Sequence, residues 1–243
     1  SYLGPKYNQK TIEDELDKIG AKYQIFDEEN LIEKTAEDLS KGNAIGWFQG
    51  RMEFGPRALG ARSILGDPRS PQMQKNLNLK VKYRESFRPF APSILKEDLL
   101  DWFDTNVESP YMLIVANINQ AKIIEMNDEE KKLFGIDKLN IKRSEIPAVT
   151  HVDYSARIQT VKKETNLEYY NLIKRFKEKT NCPVLVNTSF NVRGEPIVNT
   201  PLDAFNCFMG TELDTLVIGN CYLNKKDQNL SLKKDYSNEF TLD

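Results

Sequence analysis

Cysteine and histidine are scarce in this chain of 243 residues, which has three cysteines and one histidine. Cys182, Cys207 and Cys221 form no CxxC pair and leave one thiol over, which argues against a disulfide framework and against a cysteine-based zinc site. Because His151 is the single imidazole and no acidic pair has ligand spacing, we expect no catalytic metal bound wholly by this chain. The same cysteine pattern fits a reducing cytoplasm, which is the location we predict.

Long apolar runs and a strong net charge are also missing. No run approaches the roughly 20 apolar residues that a membrane-spanning helix needs, and the polar start has none of the regions of a signal peptide. The chain begins with Ser1 and not with methionine, so we expect a piece of a longer polypeptide. The net charge of -2, from 34 basic and 36 acidic residues, gives no global reason to expect a membrane or nucleic acid as a partner.

Two common nucleotide-binding signatures are absent. The sequence contains neither GxxxxGK[ST] nor GxGxxG, which removes the P-loop and the Rossmann motif as sequence signals. A nucleotide site in this chain would therefore need another fold.

Hydrophobic periodicity predicts alternating helices and strands. Helices are expected from Thr11, Glu28, Asn166 and Thr200, because caps or first-turn residues precede apolar positions at helical spacing. Strands are expected over residues 23–26, 44–48, 90–95, 111–118, 154–161, 183–186 and 216–218. This rhythm predicts a mixed α/β sheet in one domain over residues 1–224, followed by a polar C-terminal tail over residues 225–243.

Basic residues are concentrated in an arginine-rich segment, residues 50–92. Between residues 47 and 92 there are nine basic and three acidic residues, so the rest of the chain must carry about -8. Glycine and alanine between the arginines would let a phosphate approach the backbone, which favours an anion-binding pocket. The alternative is a solvated face, or a set of structural ion pairs with carboxylates such as Glu53 and Glu85.

A second polar cluster follows an apolar strand. We predict that residues 183–186 run into an Asn187-Thr188-Ser189 turn, at the carboxyl end of a strand where open α/β sheets hold ligands. A plain strand-to-loop turn capped by short polar side chains is the alternative. His151 could act as a general base, although a lone histidine near a strand is more often a satisfied structural group.

Four ordered runs carry a resemblance to a known family. They are residues 50–60 (GRMEFGPRALG), 82–92 (KYRESFRPFAP), 151–159 (HVDYSARIQ) and 187–191 (NTSFN). Together they strongly resemble the C-terminal domain of the NodU/CmcH-type O-carbamoyltransferases, a group that includes nodulation, cephalosporin and tobramycin carbamoyltransferases. The resemblance extends from about residue 2 to residue 222.

The resemblance implies a YrdC-like fold, a twisted open mixed sheet flanked by helices. It implies that the domain makes carbamoyl-adenylate from carbamoyl phosphate and ATP with Mg²⁺, whose ligands we cannot name. The carbamoyl group would then pass to an acceptor hydroxyl at a separate N-terminal, Kae1-like domain that carries a metal and has no counterpart in this chain. The charged stretch over residues 127–144 departs from the family and is expected to be a local insertion that bears on partner contacts.

The resemblance also implies roles for individual residues. Lys82 and Arg88 would be catalytic and would grip carbamoyl phosphate and the nucleotide phosphates, with Arg57 nearby. The remaining substrate- and nucleotide-binding residues would be Arg157, Asn187, Thr188 and Ser189. A different class of function is a phosphate- or RNA-binding module without chemistry, but the acidic remainder of the chain argues against a broad nucleic-acid footprint.

Overall fold

The computed structural model describes residues 1–139 and 141–236. Their strands form one nine-stranded sheet in the order β1-β9-β8-β2-β3-β7-β4-β6-β5. The strands are β1 Gln24–Ile25, β2 Ile45–Phe48, β3 Arg62–Gly66, β4 Ala91–Leu95, β5 Ile114–Asn117, β6 Ser155–Val161, β7 Val184–Ser189, β8 Thr215–Ile218 and β9 Cys221–Asn224. The α-helices are α1 Gln9–Lys18, α2 Glu28–Ser40, α3 Met73–Lys80, α4 Leu99–Trp102, α5 Asp128–Lys132, α6 Gly135–Leu139, α7 Leu167–Thr180 and α8 Pro201–Gly210.

The sheet is mixed, as predicted. β2 pairs in parallel with β8, and β4 in parallel with β6, whereas β7 is antiparallel to both of its neighbours, β3 and β4. Every residue of β2, β3, β4 and β8 is buried, which explains their almost continuously apolar sequences. The prediction of a mixed α/β sheet flanked by helices is confirmed.

Two helix pairs cover the sheet. α2 packs on α7, which contacts β4 and β7, and α1 packs on α8, which contacts β2 and β8. The caps expected from the sequence fix two of the helix starts: the Asn166 side chain accepts from the backbone N–H of Tyr169, and Thr200 forms a capping box with Asp203. Each such cap contributes about 1 kcal/mol to helix stability.

The centre of the sheet differs from the sequence-based prediction. β7 continues through Ser189, so Asn187, Thr188 and Ser189 are strand residues and do not form the predicted turn. Their backbone groups pair with β3, where Leu65 faces Asn187 and Ser63 faces Ser189. The prediction of a turn was wrong because the pairing partner lies more than 120 residues earlier in the chain, beyond the reach of local patterns.

The predicted insertion and tail both fold against the rest of the molecule. No residue of α5 is buried and the helix begins with a capping box from Asn127, whereas Arg143 and Ser144 at the end of the charged stretch are buried. In the tail, Lys225 Nζ donates to the carbonyl oxygens of Phe208 and Thr211, at the end of α8. Residues 237–243 of the predicted tail lie outside the described residues. Among the described residues, no helix combines the length and apolarity needed to cross a bilayer.

Candidate functional site

Four strand ends meet at one edge of the sheet. Because β7 is antiparallel to β3 and β4, the end of β7 lies beside the starts of those two strands, and β6 begins on the same side because it is parallel to β4. The loop before β3 carries Arg57, and the loop before β4 carries Lys82 and Arg88. Arg157 lies near the start of β6, and Ser189 ends β7. The topology therefore brings the predicted site residues to one edge.

Glu53 organises the loop that carries Arg57. Its side chain is buried, and Oε1 accepts hydrogen bonds from the backbone N–H groups of Leu59 at 2.6 Å, Ala61 at 2.7 Å and Arg62 at 3.2 Å. A single carboxylate thus fixes the return of the loop into β3. Glu53 was considered as an ion-pair partner for the arginines, but the structure uses it as an acceptor for the backbone.

Arg62 is a structural cation. Its guanidinium is fully buried and donates to the carbonyl oxygens of Gln49 at 2.9 Å, Ala61 at 3.0 Å and Pro5 at 3.3 Å. The guanidinium carbon lies 3.5 Å from the centre of the Phe48 ring, a cation–π contact. Burial lowers the pKa of Arg62 to about 10. Arg62 therefore stabilises the fold and is not accessible to a ligand.

Two other basic residues of the arginine-rich segment have carboxylate partners. Arg69 pairs with Asp67, with Nη2 2.7 Å from Oδ2, and Lys80 pairs with Glu212 at 3.1 Å. The structural ion pairs weighed from the sequence thus describe part of the segment. The cations that lie at the sheet edge contribute to the excess of positive charge in the arginine-rich segment.

Lys82 is buried against the end of β7. Its Nζ donates to the backbone oxygen and to Oγ of Ser189, and to Asn191 through the backbone oxygen at 2.9 Å and Oδ1 at 2.7 Å. Burial lowers the pKa of Lys82 to about 7. The surrounding oxygens act in the opposite sense, because the ammonium form donates three hydrogen bonds and the neutral amine donates only two. Lys82 therefore joins the loop before β4 to the end of β7.

The backbone around Lys82 is held in an uncommon conformation. Tyr83 has a φ of +48°, in the left-handed region, and its hydroxyl donates to the carbonyl oxygen of Gly210 at 2.8 Å. Asn78 fixes the rest of the loop, because Nδ2 donates to the carbonyl oxygens of Ser86 at 3.1 Å and Arg88 at 2.8 Å. Such strain persists only where the surroundings enforce it, and it is typical of functional loops.

Arginines cluster beside Lys82. Burial lowers the pKa of Arg84 to about 10, and the nearby charges of Arg88 and Arg193 act in the same direction. The guanidinium of Arg84 is held between Asn78 Oδ1, at 2.7 Å from Nε, and the Phe90 ring. The side chain of Arg88 is exposed at the surface of this cluster. These mutually repelling cations create a strong local attraction for an anion.

Asn187 forms a buried network with its neighbours on β4 and β6. Its Nδ2 lies 2.8 Å from Gln159 Oε1, 3.0 Å from Ser93 Oγ and 3.1 Å from the carbonyl oxygen of Ala58. Gln159 Nε2 donates to the carbonyl oxygen of Leu59 at 2.8 Å. Asn187 thus ties the loop after Arg57 to the sheet, while its Oδ1 finds no partner among the described residues. Thr188 lies on the opposite face of β7 and is half-buried.

Arg157 presents an unsatisfied donor. Its Nε is buried and has no hydrogen-bond partner in the described part of the chain, and its Nη2 contacts Met112 Sδ at 3.9 Å. Burial lowers the pKa of Arg157, and the neighbouring charge of Arg57 lowers it further. Burial also lowers the pKa of His151, which is half-buried, so its imidazole is neutral near pH 7. A buried Nε without a hydrogen-bond acceptor favours an oxygen-rich ligand.

A cavity of about 250 Å³ adjoins the loop that carries Arg88. Phe87 and His151 contribute rings to its wall, and Lys75 and Arg143 contribute positive charge. The other lining residues are Pro71, Gln74, Ser86, Pro89, Ile141, Pro147, Thr150 and Val152, so no carboxylate of the described residues lines the cavity. Ile141 and Arg143 belong to the predicted insertion, which therefore forms one wall of the cavity.

Over residues 1–139 and 141–236, no group of three or more histidine, cysteine, aspartate or glutamate side chains could hold a metal ion.

Comparisons with known proteins identify the family of this chain. Residues 36–225 match the family model described as carbamoyltransferase C-terminus. The chain belongs to this family. The uncharacterized protein sll1178 of Synechocystis is 55% identical over all of this chain and 40% of its own length. Nodulation protein NolO of Bradyrhizobium diazoefficiens is 40% identical over 94% of this chain and 39% of its own.

A third relative has a name that states its activity. The 3'-hydroxymethylcephem-O-carbamoyltransferase of Amycolatopsis lactamdurans is 33% identical over 78% of this chain and 32% of its own length. The chain thus spans 32–40% of the length of these three relatives. The resemblance to the C-terminal domain of O-carbamoyltransferases is confirmed, and the chain is a carbamoyltransferase domain.

Sequence reasoning missed the residues that hold the site together. Glu53 lies within the recognised run of residues 50–60 and could have been suspected, because a carboxylate among glycines and arginines often binds backbone N–H groups. Gln159 ends another recognised run. Asn78 gave no signal, since an asparagine in a polar helix looks solvent-exposed until the fold buries it.

Proposed function

We propose that this chain is the carbamoyl-adenylate-forming part of an O-carbamoyltransferase. The observation that carries the proposal is a group of cations that share one sheet edge and make no salt bridge within the described residues: Arg57, Lys82, Arg84, Arg88 and Arg157. Membership of the family indicates carbamoyl chemistry, and the clustered cations favour a substrate that carries several phosphates.

Adenylation would use these cations to stabilise charge. Hydrolysis of carbamoyl phosphate would give carbamate and inorganic phosphate, and a carbamate oxygen would then attack the α-phosphorus of ATP as the bond to pyrophosphate breaks. Negative charge develops on the phosphorus oxygens and on the departing pyrophosphate. Fixed cations lower the energy of such a transition state without having to reorganise. Arg88 would grip the phosphates, Lys82, whose ammonium is held by Ser189 and Asn191, would add its positive charge, and the half-buried Arg157 would reach the adenylate with a guanidinium that has no partner at Nε among the described residues. Asn187 would act mainly by holding the Arg57 loop against the sheet.

The cavity beside Arg88 is suited to the nucleotide base. A planar heteroaromatic ring would stack on Phe87, and the neutral His151 ring, Gln74 and Ser86 offer hydrogen-bonding groups without negative charge. The phosphates would extend from there toward Arg88. Mg²⁺ would enter on the phosphates of ATP, because the described residues provide no cluster of carboxylates to hold it.

Delivery of the carbamoyl group would require a second domain. The relatives are about two and a half to three times as long as the matched region. We infer that the N-terminal, Kae1-like domain of the complete protein receives carbamoyl-adenylate from this site and passes the carbamoyl group to an acceptor hydroxyl.

Pyrophosphate release tests the proposal. With Mg²⁺ and ATP, pyrophosphate should appear only when carbamoyl phosphate is added, both for this chain and for the chain supplemented with the N-terminal domain. Arg88→Ala should lower the rate by about a hundredfold, because a charged donor to a transition state is lost. Lys80→Ala, a change of an exposed cation of the same segment that pairs with Glu212, is the matched control and should keep most of the rate.

Two other outcomes would contradict the proposed reaction or favour a different function. ATP binding without carbamoyl-phosphate-dependent pyrophosphate release, even with the N-terminal domain present, would refute the proposed reaction. Salt-sensitive binding of RNA that ATP does not displace would instead favour the non-catalytic phosphate- or RNA-binding module.

A further inference from the structure

The C-terminal segment reaches the candidate site through one tyrosine. Tyr236 lies beyond residue 225, where the match to the family model ends, yet its side chain is 8% exposed. Its ring packs on the backbone of Gly210, where a Cβ would lie only 2.2 Å from Tyr236 Cε2. Lys234 Nζ lies 4.9 Å from the centre of the same ring. The end of α8 therefore provides a fitted surface for this tyrosine.

Tyr236 contacts the turn that follows β7. Its hydroxyl donates to Glu195 Oε1 at 3.2 Å, and Glu195 Oε2 accepts from the backbone N–H of Val192 at 3.1 Å. The backbone oxygen of Glu195 accepts from Asn191 Nδ2 at 2.6 Å. Glu195 is half-buried, so each of these contacts is partly shielded from water. The hydroxyl of Tyr236 therefore helps to fix the orientation of the Asn191 side chain through Glu195.

Asn191 in turn holds the ammonium of Lys82. Asn191 Oδ1 lies 2.7 Å from Lys82 Nζ and accepts from Ser189 Oγ at 2.7 Å, while the backbone oxygen of Asn191 accepts from Lys82 Nζ at 2.9 Å. Since Asn191 Nδ2 is bonded to Glu195, the amide cannot turn over without losing both contacts. A continuous series of hydrogen bonds links Tyr236 to Lys82.

We propose that Tyr236 is a positioning residue for the carbamoyl-adenylation site, acting through Glu195 and Asn191 on Lys82. The proposal rests on the function proposed above. Without the hydroxyl, Glu195 Oε1 loses its donor, the carboxylate rotates toward water, and the turn of Asn191 loosens. Lys82 then keeps its charge near the site but loses its fixed direction, so the phosphates of the substrate are held less well.

Tyr236→Phe in the full-length protein tests this, because it removes one oxygen and keeps the ring. We expect the KM for carbamoyl phosphate to rise about three- to tenfold, as for loss of part of a hydrogen bond to a charged group. The urea unfolding midpoint should stay at the wild-type value. Tyr23→Phe is the matched control, because Tyr23 also donates to a carboxylate, Asp17 Oδ1 at 2.8 Å, but lies beside β1 at the far edge of the sheet.

A purely structural role would give a different pattern: a lower unfolding midpoint and a smaller active fraction with an unchanged KM. The coupling is tested by the double variant Tyr236→Phe, Asn191→Ala, in which removal of the hydroxyl should have no further effect on KM. Additive effects of the two substitutions would overturn the proposal.

A readout independent of activity separates this proposal from the proposed function. The ¹³Cε resonance of Lys82, in protein labelled at lysine, should shift in Tyr236→Phe and stay unchanged in Tyr23→Phe. If wild-type protein releases no pyrophosphate but this resonance shifts, the proposed function fails and the link to Lys82 stands. If pyrophosphate is released but neither the resonance nor the KM changes, the positioning role of Tyr236 is refuted.

Discussion

Gly60 closes the loop of Arg57, and replacing it with alanine should be costly for two separable reasons. Gly60 has a φ of +100°, which disfavours any residue with a Cβ. A Cβ at this position would also lie 2.1 Å from Cδ1, 2.6 Å from Cγ and 2.7 Å from Cε1 of Tyr169, whose ring is fully buried. The ring cannot move aside without disturbing the core.

The expected loss of stability is the sum of the costs of the positive φ and of the overlap with Tyr169. The positive φ costs an alanine about 1–2 kcal/mol relative to glycine. Forcing one methyl group into a packed core adds about 1–3 kcal/mol. We therefore expect Gly60→Ala to lower the free energy of unfolding by about 2–5 kcal/mol, a large share of the stability of a domain of this size.

Replacing Gly42 with alanine is a control that has only the cost of the positive φ. Gly42 has a φ of +86°, and a Cβ placed on it would meet nothing within 4 Å. Gly42→Ala should therefore cost about 1–2 kcal/mol. Urea unfolding followed by circular dichroism gives both values, and their difference isolates the overlap with Tyr169. ATP binding should weaken in Gly60→Ala alone, because that substitution also displaces Arg57.

Equal losses of stability in the two variants would refute the reasoning. That result would mean that the ring of Tyr169 yields without cost, and that Glu53 and Asn187 do not hold the loop rigidly against β6 and β7. An unchanged affinity for ATP in folded Gly60→Ala would separately show that the position of Arg57 is unimportant.

Two further predictions concern the charge and the cavity. Burial lowers the pKa of Lys82 to about 7 from its ordinary 10.5, so the unfolded chain binds more protons between these values and stability should rise with pH there, by at most about 1.4 kcal/mol per pH unit. Urea titrations at pH 7 to 10 should show a steeper rise in wild type than in Lys82→Met, in which Lys225 still contributes because burial lowers its pKa to about 8, and parallel curves would contradict the prediction. Phe87→Ala should weaken ATP binding about five- to tenfold in calorimetry, because a stacking face worth about 1 kcal/mol is lost. The control Phe134→Ala, a change of an exposed aromatic on the insertion, should bind ATP as wild type does, and equal affinities in all three proteins would place the base elsewhere.

Much of the fold could be predicted from the sequence because local signals were strong. Caps at Asn166 and Thr200, and apolar runs such as the one before Asn187, predicted helices and strands that the structure contains. β3 and α3 were missed inside the arginine-rich segment, since charge and glycine there masked their periodicity. The strand character of Ser189 was also missed, because it depends on pairing with β3.

The candidate site was also predicted only in part from the sequence. Recognised runs predicted which side chains gather at the sheet edge, because topology brings the starts of β3, β4 and β6 together. They did not predict that Arg62 would be buried on carbonyl oxygens, or that Lys82 would bind the turn after β7. Both outcomes depend on contacts between residues far apart in the sequence, which residue type and spacing do not encode. The roles of Arg57, Arg88 and Arg157 toward a ligand stay predictions.

The position of β7 has a consequence for how the chain is made. β7 lies near the centre of the sheet, between β3 and β4, but six of the other strands described for this domain precede it in the sequence. Until residues 184–189 emerge, β3 and β4 each present an apolar strand with an open edge, which is a common route to aggregation. Expression of pieces that end before β7 should therefore yield insoluble protein, and useful dissections of this domain should keep the three central strands together.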